Sequence, residues 1–434
     1  MSEWKKVKIG DVCKIVKGTT GIASAVPGEF PLVVTAVERK TCSTYQFDCE
    51  AVCIPLVSSS GHGKKSLNNV HYQSGKFALG TILCAVIPNN SDELDARYLH
   101  QYLQFYKDTV LVPLMKGAAN VSLSMKDITG VSIPLPPIKR QRELAEMFVT
   151  LQEKQKELFA EFEKQTEYAK KLRQNILQEA IEGKLTADWR KQHSVQKGNP
   201  DYDAEALFEK IQQEQVLNKR QKTRSQKRVN TIDLNTPEGW KWVKLRQIID
   251  VRDGTHDTPS YVSSGYPLIT GKDFYYGFFK LDKTQYVSRK DYEIISKRSL
   301  VEVGDILFSM IGGNIGSMIQ ITAENFFEMA IKNVALFKND KKGLVNQKWM
   351  YYFIKGNAKN FQNDARGGAQ PFVSLNYLRD FACCLPPLAE QKEIVTRVEA
   401  KLQTIAQLET QIATRETTTK QLMQSILKDA FEKE

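Results

Sequence analysis

The sequence predicts an α+β protein: two globular, strand-rich α/β domains separated by a long antiparallel two-helix coiled coil, with an internal pseudo-two-fold repeat. Three observations lead there. The chain of 434 residues writes one pattern twice, so that "PLPPIKRQREL" from Pro134 returns as "CLPPLAEQKEI" from Cys384, 250 positions on. Ahead of each copy, short apolar runs such as "FPLVV", "AVCIPLV" and "VALFK" are broken by glycine, proline and serine clusters, the punctuation of strands. Beyond each copy the apolar period changes to steps of three and four, the period of a helix.

The repeat extends well beyond that signature. "EWKKVKIGDV" at Glu3 recurs as "GWKWVKLRQI" at Gly239, aligning Trp4 with Trp240. "GKFALGTILCAVI" at Gly75 is loosely echoed by "SLVEVGDILFSMI" at Ser299, and "LMKGAANVSL" at Leu114 by "ARGGAQPFVSL" at Ala365. "NILQEAI" at Asn175 returns as "SILKDAF" at Ser425. Similarity this long marks two copies of one module with diverged interiors, not a short solenoid period. The predicted division is residues 1–137, a first globular domain; 138–185, a central helix; 186–237, a basic linker; 238–387, a second globular domain; and 388–434, a distal helix.

The helices carry matching seams. Leu144, Phe148, Leu151, Gln155, Leu158, Phe162, Gln165, Ala169, Leu172 and Ile176 form one series. Ile394, Val398, Lys401, Ile405, Leu408, Ile412, Arg415, Thr419, Leu422 and Ile426 form the other, at equivalent positions. About five heptads of this kind are the signature of a coiled coil. Pro136-Pro137 and Pro386-Pro387 suit the first helical turn, since proline fixes φ and the amide it lacks has no partner there. Polar members in unequal places fit an intramolecular antiparallel pair better than a homodimer seam.

Gly183 is placed to cap the end of the central helix. Beyond it, "AEALFEKIQQEQVL" is amphipathic and leads to Lys219, Arg220, Lys222, Arg224, Lys227 and Arg228 with no intervening acid. Such a run reads as a solvated linker or as a strap along phosphates.

Composition narrows the class. The net charge is +11, which favours a polyanionic partner but also serves plain solubility. Seven scattered cysteines do not form a disulfide framework, and the N-terminus has no apolar signal core, so a cytoplasmic protein that does not enter membranes is expected. "SSSGHGKKS" at Ser58 lacks the first glycine of a phosphate loop. Cys49 and Cys53 have no second pair for zinc, the five histidines are dispersed, and no acidic cluster suits two-metal cleavage. The reading is recognition without catalysis, with no metal and no cofactor in this chain.

Candidate contacts to DNA are glycine, hydroxyl, amide and basic residues in loops at matching places of the two copies. In the first they are Ser58, Ser59, Ser60, Gly61, His62, Gly63 and Lys64, then Lys116, Gly117 and Asn120. In the second they are Thr255, His256, Lys272 and Asn314, then Arg366, Gly367, Gly368 and Gln370. Glycine lets backbone amides approach phosphates, while amides and cations can bond base edges. For any one loop, a surface turn is the simpler reading. Lys116–Asn120 and Arg366–Gln370 stand out because they are paired, each just ahead of a helix.

The duplicated Trp-Lys-x-Val-Lys starts, "LPPIKRQREL", "LPPLAEQKEI", "ILQEAIEGKLTADWR", "DGTHDTPSYVSSGYPLI", "VEVGDILFSMIGGNIG" and "GGAQPFVSL" together resemble the specificity subunit of type I restriction-modification enzymes over nearly the whole chain. The resemblance implies two target-recognition domains, each reading half of a split, asymmetric double-stranded DNA site. It implies helices that act as a ruler and bind two modification (methyltransferase) subunits, with two motor-nuclease restriction subunits completing the complex. S-adenosylmethionine, ATP and Mg²⁺ would belong to those partners. The distal copy stops at Glu434 before any counterpart of "GKLT", so it is expected to be the shorter one. The competing classes are a coiled-coil scaffold that reads no DNA and a stand-alone nuclease or methyltransferase with an unfamiliar site.

Overall fold

The computed structural model describes residues 4–60, 63–217, 236–275, 277–338, 340 and 343–432. They form two compact units, Met1–Gln165 with Gln411–Glu434, and Thr166–Thr410.

In the first unit the strand Lys6–Lys8 pairs antiparallel with Ser132–Pro134, so the beginning and end of the head meet at one place. A four-stranded antiparallel sheet follows in the order Cys13–Lys17, Leu83–Pro88, Ala51–Pro55, His71–Gln73. All five residues of Ala51–Pro55 are buried, which is why this strand reads as an unbroken apolar run instead of an alternation. A second sheet runs Lys40–Cys42, Phe30–Val33, Lys76–Leu79, Phe47–Asp48, with Phe30–Val33 and Lys76–Leu79 parallel. The helix Ala96–Val110 packs Tyr98, Leu99 and Leu103 into the core and is capped by Asp95, whose carboxylate accepts from the amides of Arg97 and Tyr98.

The second unit repeats this plan. Lys241–Lys244 pairs with Ala382–Leu385 in the register of the first unit's strand pair once Trp4 is aligned with Trp240. Its sheets run Asp250–Asp253, Val334–Lys338, Ile306–Ser309, Met318–Gln320, and Tyr261–Val262, Gln285–Val287, Tyr266–Ile269, Ala330–Ile331. The parallel pair recurs as Tyr266–Ile269 with Ala330–Ile331. This topology corrects one sequence correspondence. Leu83–Pro88 matches Val334–Lys338, not "VGDILFSMI", whose strand Ile306–Ser309 holds the place of Ala51–Pro55. These strands are largely or wholly buried, so their compositions converge and similarity misassigns them.

Each head is fastened to its helix start by a wholly buried glutamine. Gln141 Nε2 donates to Pro136 O at 2.8 Å and Glu93 O at 2.9 Å, while its Oε1 accepts from the amide of Asp95 at 2.9 Å. Gln391 repeats this with Pro386 O at 3.0 Å and the amide of Asn346 at 2.8 Å. Asp95 and Asn346 are themselves the caps of the head helices Ala96–Val110 and Gln347–Gly356. The repeated signature thus holds helix cap and proline turn together.

The long helices are Ile138–Ile181 and Leu388–Glu432. Residues up to Gln165 of the former lie in the first unit and later ones in the second, and the latter divides the other way. In each unit the two run antiparallel. Phe148 stacks on Phe431 at 4.7 Å and Lys420 lies 5.1 Å over Phe159 in the first; Arg173 pairs bidentately with Glu409, at 3.0 and 2.7 Å, in the second. Along one predicted seam line Phe148, Phe162, Ala169, Ile176, Val398 and Ile405 are buried, and Gln155, Ile412, Thr419 and Ile426 half-buried. In the other line Leu144 and Ile394 are buried and Leu151 and Gln165 half-buried, but the rest must be corrected. Leu158, Leu172, Leu408 and Leu422 are 46, 46, 45 and 58% exposed, and Lys401 and Arg415 are exposed too. The companion line falls one residue later, at Phe159, Thr166, Arg173 and Ala180, and at Leu402, Glu409, Glu416 and Met423. Positions three and four residues along a helix both flank the shared line. The sequence places its leucines on one flank, and the interface uses the other.

Gly183 does end the first long helix, in the left-handed conformation at φ 72°. The stretch expected as linker is folded over its first part: Ala187–Gln192 and Ala204–Leu217 are helices, and Leu207 and Ile211 are fully buried in the second unit's core. The run from Lys219 to Arg228 lies outside the described residues.

Replacing Gln391 with Leu strands the buried amide of Asn346 and the carbonyl of Pro386, a cost of about 1–3 kcal/mol for each unsatisfied group. Gln391→Leu is therefore expected to lower the unfolding midpoint of the second unit in a denaturant titration, and Gln141→Leu that of the first.

Candidate nucleic-acid interface

The loops singled out by sequence are assembled by backbone ladders at the same place in both heads. Lys116 and Ser122 exchange amide–carbonyl bonds at 2.8 Å, closing a tight loop over residues 117–121. Arg366 and Phe372 do the same, at 2.9 and 2.7 Å, around 367–371. Gly117 and Gly367 take φ of 122° and 105°, where a side chain is strained; a Cβ on Gly117 would stand 2.2 Å from Asn120 O. Residues 116–120 and 366–370 are exposed.

Each loop is docked on a second one. In the first head the Ser58 amide donates to Val121 O at 3.0 Å and that of Gly63 to Ala119 O at 3.3 Å, joining the serine-glycine loop to Lys116–Asn120. In the second, the Gly312 amide donates to Pro371 O at 2.8 Å, and Asn314 Nδ2 donates to Gly271 O at 2.9 Å. Lys272, Asn314 and the Arg366–Gln370 loop therefore meet on one rim. Thr255 and His256 continue it: the Thr255 amide donates to Ile331 O at 2.9 Å and that of Lys332 to Ile269 O at 2.9 Å. Gly61 and His62 lie outside the described residues.

Some predicted contacts are occupied with the loops themselves. Ser58 Oγ donates to Lys64 O at 2.6 Å and accepts from the amides of Ser60 and Ser66, Ser59 Oγ accepts from the amide of Asn68, and Ser60 Oγ lies 2.6 Å from Ser66 Oγ. These serines shape the loop. Lys116 Nζ reaches the Asp127 carboxylate at 3.1 and 3.2 Å, and hydrogen bonds from Ser124 and Lys116 hold that carboxyl below its ordinary range. As an exposed pair it is readily opened.

Sequence reasoning missed two groupings. Buried Glu390, beside the second proline pair, accepts from Thr186 Oγ1 at 2.6 Å, Trp240 Nε1 at 2.7 Å and Arg190. Burial pushes its carboxyl up, and these three partners pull it back. The "GKLTADWR" segment is thereby fixed to the helix start. Asp253, at 4% exposure, gathers His256 and Arg298. In both cases the signal was an acid inside an otherwise apolar or strand-like stretch, which sequence alone does not separate from a surface charge. Among the described residues, none group to hold a metal ion, and no helix is long and apolar enough to cross a membrane.

The chain is thus two diverged copies of one head, each presenting backbone-braced loops of glycine, amide and basic residues ahead of a long helix. The family described as Type I restriction modification DNA specificity domain matches residues 1–168 and 237–415, and the chain belongs to it. It is 23% identical over 443 residues to the type I restriction enzyme EcoDI specificity subunit of Escherichia coli, covering 99% of this chain and 88% of that one. The EcoKI specificity subunit of E. coli K12 is 23% identical over 73% of this chain, which spans 61% of that relative's length. The crystal structure of the HsdS subunit from Thermoanaerobacter tengcongensis shares the fold, with a TM-score of 0.57 at 17% identity over 99% of this chain and 96% of that one. The protein is thus a DNA sequence-recognition subunit of a type I restriction-modification system.

Backbone strain of about 1–3 kcal/mol is expected at a side chain forced into the glycine conformation. Gly117→Ala should speed hydrogen exchange at the Lys116 and Ser122 amides while leaving the sheet amides of Val52 and Val86 protected.

Proposed function

We propose that the chain reads a split, asymmetric site on double-stranded DNA, each head taking one half, as the non-catalytic component of a larger enzyme. The observation that carries this is the paired loop, Lys116–Asn120 and Arg366–Gln370: the same ladder braces both, but the exposed side chains differ. Asn120 and Gln370 are exposed amides, suited to bidentate bonding of adenine, and Arg366 to guanine. Different tips on a common frame support two unlike half-sites. Lys64, Lys272, Gly63 and Gly368 on the same rims suit phosphates, and Thr255 suits either.

Two modification (methyltransferase) subunits dock on the long helices, and two restriction subunits complete the assembly. The exposed leucines support this, since Leu158, Leu172, Leu408 and Leu422 lie off the helix–helix interface. Methyl transfer with S-adenosylmethionine, and ATP- and Mg²⁺-dependent translocation and cleavage, belong to those partners in a cytoplasmic complex.

A band-shift titration with the chain and its modification subunits tests the reading, on the duplex given by mapping methylated adenines in the source cell. Preference for that duplex over random DNA is expected, and equal affinity would overturn it. Gln370→Ala and Asn120→Ala should each cost about 1–3 kcal/mol of base discrimination at one half-site only. Leu422→Glu should weaken co-purification of modification subunits while leaving the thermal midpoint of the chain unchanged.

A further inference from the structure

Asp253 ends the strand Asp250–Asp253 as a buried carboxylate that touches two cations. One oxygen lies 2.8 Å from His256 Nε2, and the other accepts from the guanidinium of Arg298, on the last turn of the helix Arg289–Ser299. The remaining ring nitrogen, Nδ1, is 3.0 Å from Asn333 Oδ1. Oxygens on both sides of the ring favour its protonated form. The bonds to Asn333 and Asp253 raise the pKa of His256 against burial and the repulsion of Arg298.

Charges of both signs surround this group. Lys332 reaches Thr258 Oγ1 at 2.7 Å on the neighbouring turn, and Arg379, bonded to Val251 O at 2.9 and 2.7 Å, approaches Asp253 from the helix Leu375–Asp380. Asp257 follows His256 in the chain, and Asp250 is paired with Arg252 at 2.7 Å. The side chains of His256 and Arg298 are 60 and 61% exposed, so both keep an open face while Asp253 is covered. Asn333 holds its place at φ 55°, a left-handed conformation that asparagine tolerates, and its amide donates to Thr255 O at 3.2 Å.

The first head departs from this at the same place. Lys17 and Gly18 stand where Asp253 and Gly254 do, and Thr20, whose amide donates to Leu79 O at 3.0 Å, takes the place of Thr255. Both glycines abut a neighbouring carbonyl: a Cβ on Gly18 would stand 2.2 Å from Gly80 O, and one on Gly254 would stand 2.2 Å from Ile331 O. Gln46 braces the first head's turn, its Oε1 accepting from Thr19 N at 3.0 Å and its Nε2 donating to Lys17 O at 2.9 Å. A single lysine replaces the carboxylate with its two cations.

We propose that Asp253 mounts His256 and Arg298 as a seat for one backbone phosphate of double-stranded DNA, and that the second head's grip therefore weakens as pH rises. The inference rests on the DNA-reading function above and adds the phosphate and its control. The sign follows from the ring: its charge is present below the raised pKa and lost as pH passes through it, leaving Arg298 offset by Asp253. A phosphate contact is indifferent to base identity, so the seat sets affinity, not the sequence read.

The test uses the chain in complex with its modification subunits, with affinity for labelled duplex measured from about pH 6 to about pH 8.5 and over a range of salt. Affinity should fall several-fold across that interval. His256→Gln, which carries no charge, should remove most of the fall and reduce the salt slope by about one. Arg298→Gln should weaken binding equally on every sequence. A methylphosphonate placed at successive second-half-site phosphates should reproduce the His256→Gln behaviour at one position. If His256→Gln retains the pH response and salt slope of the unsubstituted chain, the seat is overturned. Random duplex gives the same readout, so loss of site preference would sink the split-site reading and leave the seat separately decided.

Discussion

Everything in this fold depends on how a strand-rich head is joined to a helix that must leave it in a fixed direction. The answer is one wholly buried amide in each copy, Gln141 and Gln391, which bonds the proline turn behind it and the cap of the head helix in front of it. An amide can donate and accept at once, so it satisfies both the backbone carbonyls and the backbone amide that burial would otherwise strand. Neither a hydrocarbon nor a carboxylate of the same length could do both. The diverging sheets can insert a strand, as Tyr261–Val262 does in the second head, or lose one, because this joint does not involve them.

Much of this was legible. The doubled proline turns and the glycine turns before Val121 and Val373 are short-range patterns with a local role, whereas the glutamine that follows each proline pair declared its role only in the structure. The antiparallel helices were legible too, but the phase of one seam line was not. Leu158, Leu172, Leu408 and Leu422 look like interior residues, and only packing shows that Arg173–Glu409 and Met423 take that place. The strand correspondence failed for a related reason: fully buried strands share a composition whatever their position in a sheet. The groups around Glu390 and Asp253 join residues far apart in the chain, with Thr186 and Arg298 supplied by other elements, so no local pattern carries them.

The two heads show how recognition can diverge on a conserved frame. The ladders Lys116–Ser122 and Arg366–Phe372 are nearly superimposable in their bonding, and both are followed by a serine-capped helix, at Ser124 and Ser374. Between the rungs the chain is free to change, because its backbone bonds are already met. Chemistry therefore varies where strain is absent and is fixed where glycine must be left-handed.

The division of the long helices has a consequence for how each core closes. The second unit is one contiguous stretch, Thr166–Thr410. The first is assembled from two: its aromatic cluster of Tyr98, Tyr102, Phe105, Tyr106 and Phe148 gathers around Phe431, which the whole second unit separates from them along the chain. The entropy of closing that long loop therefore falls on the first head alone.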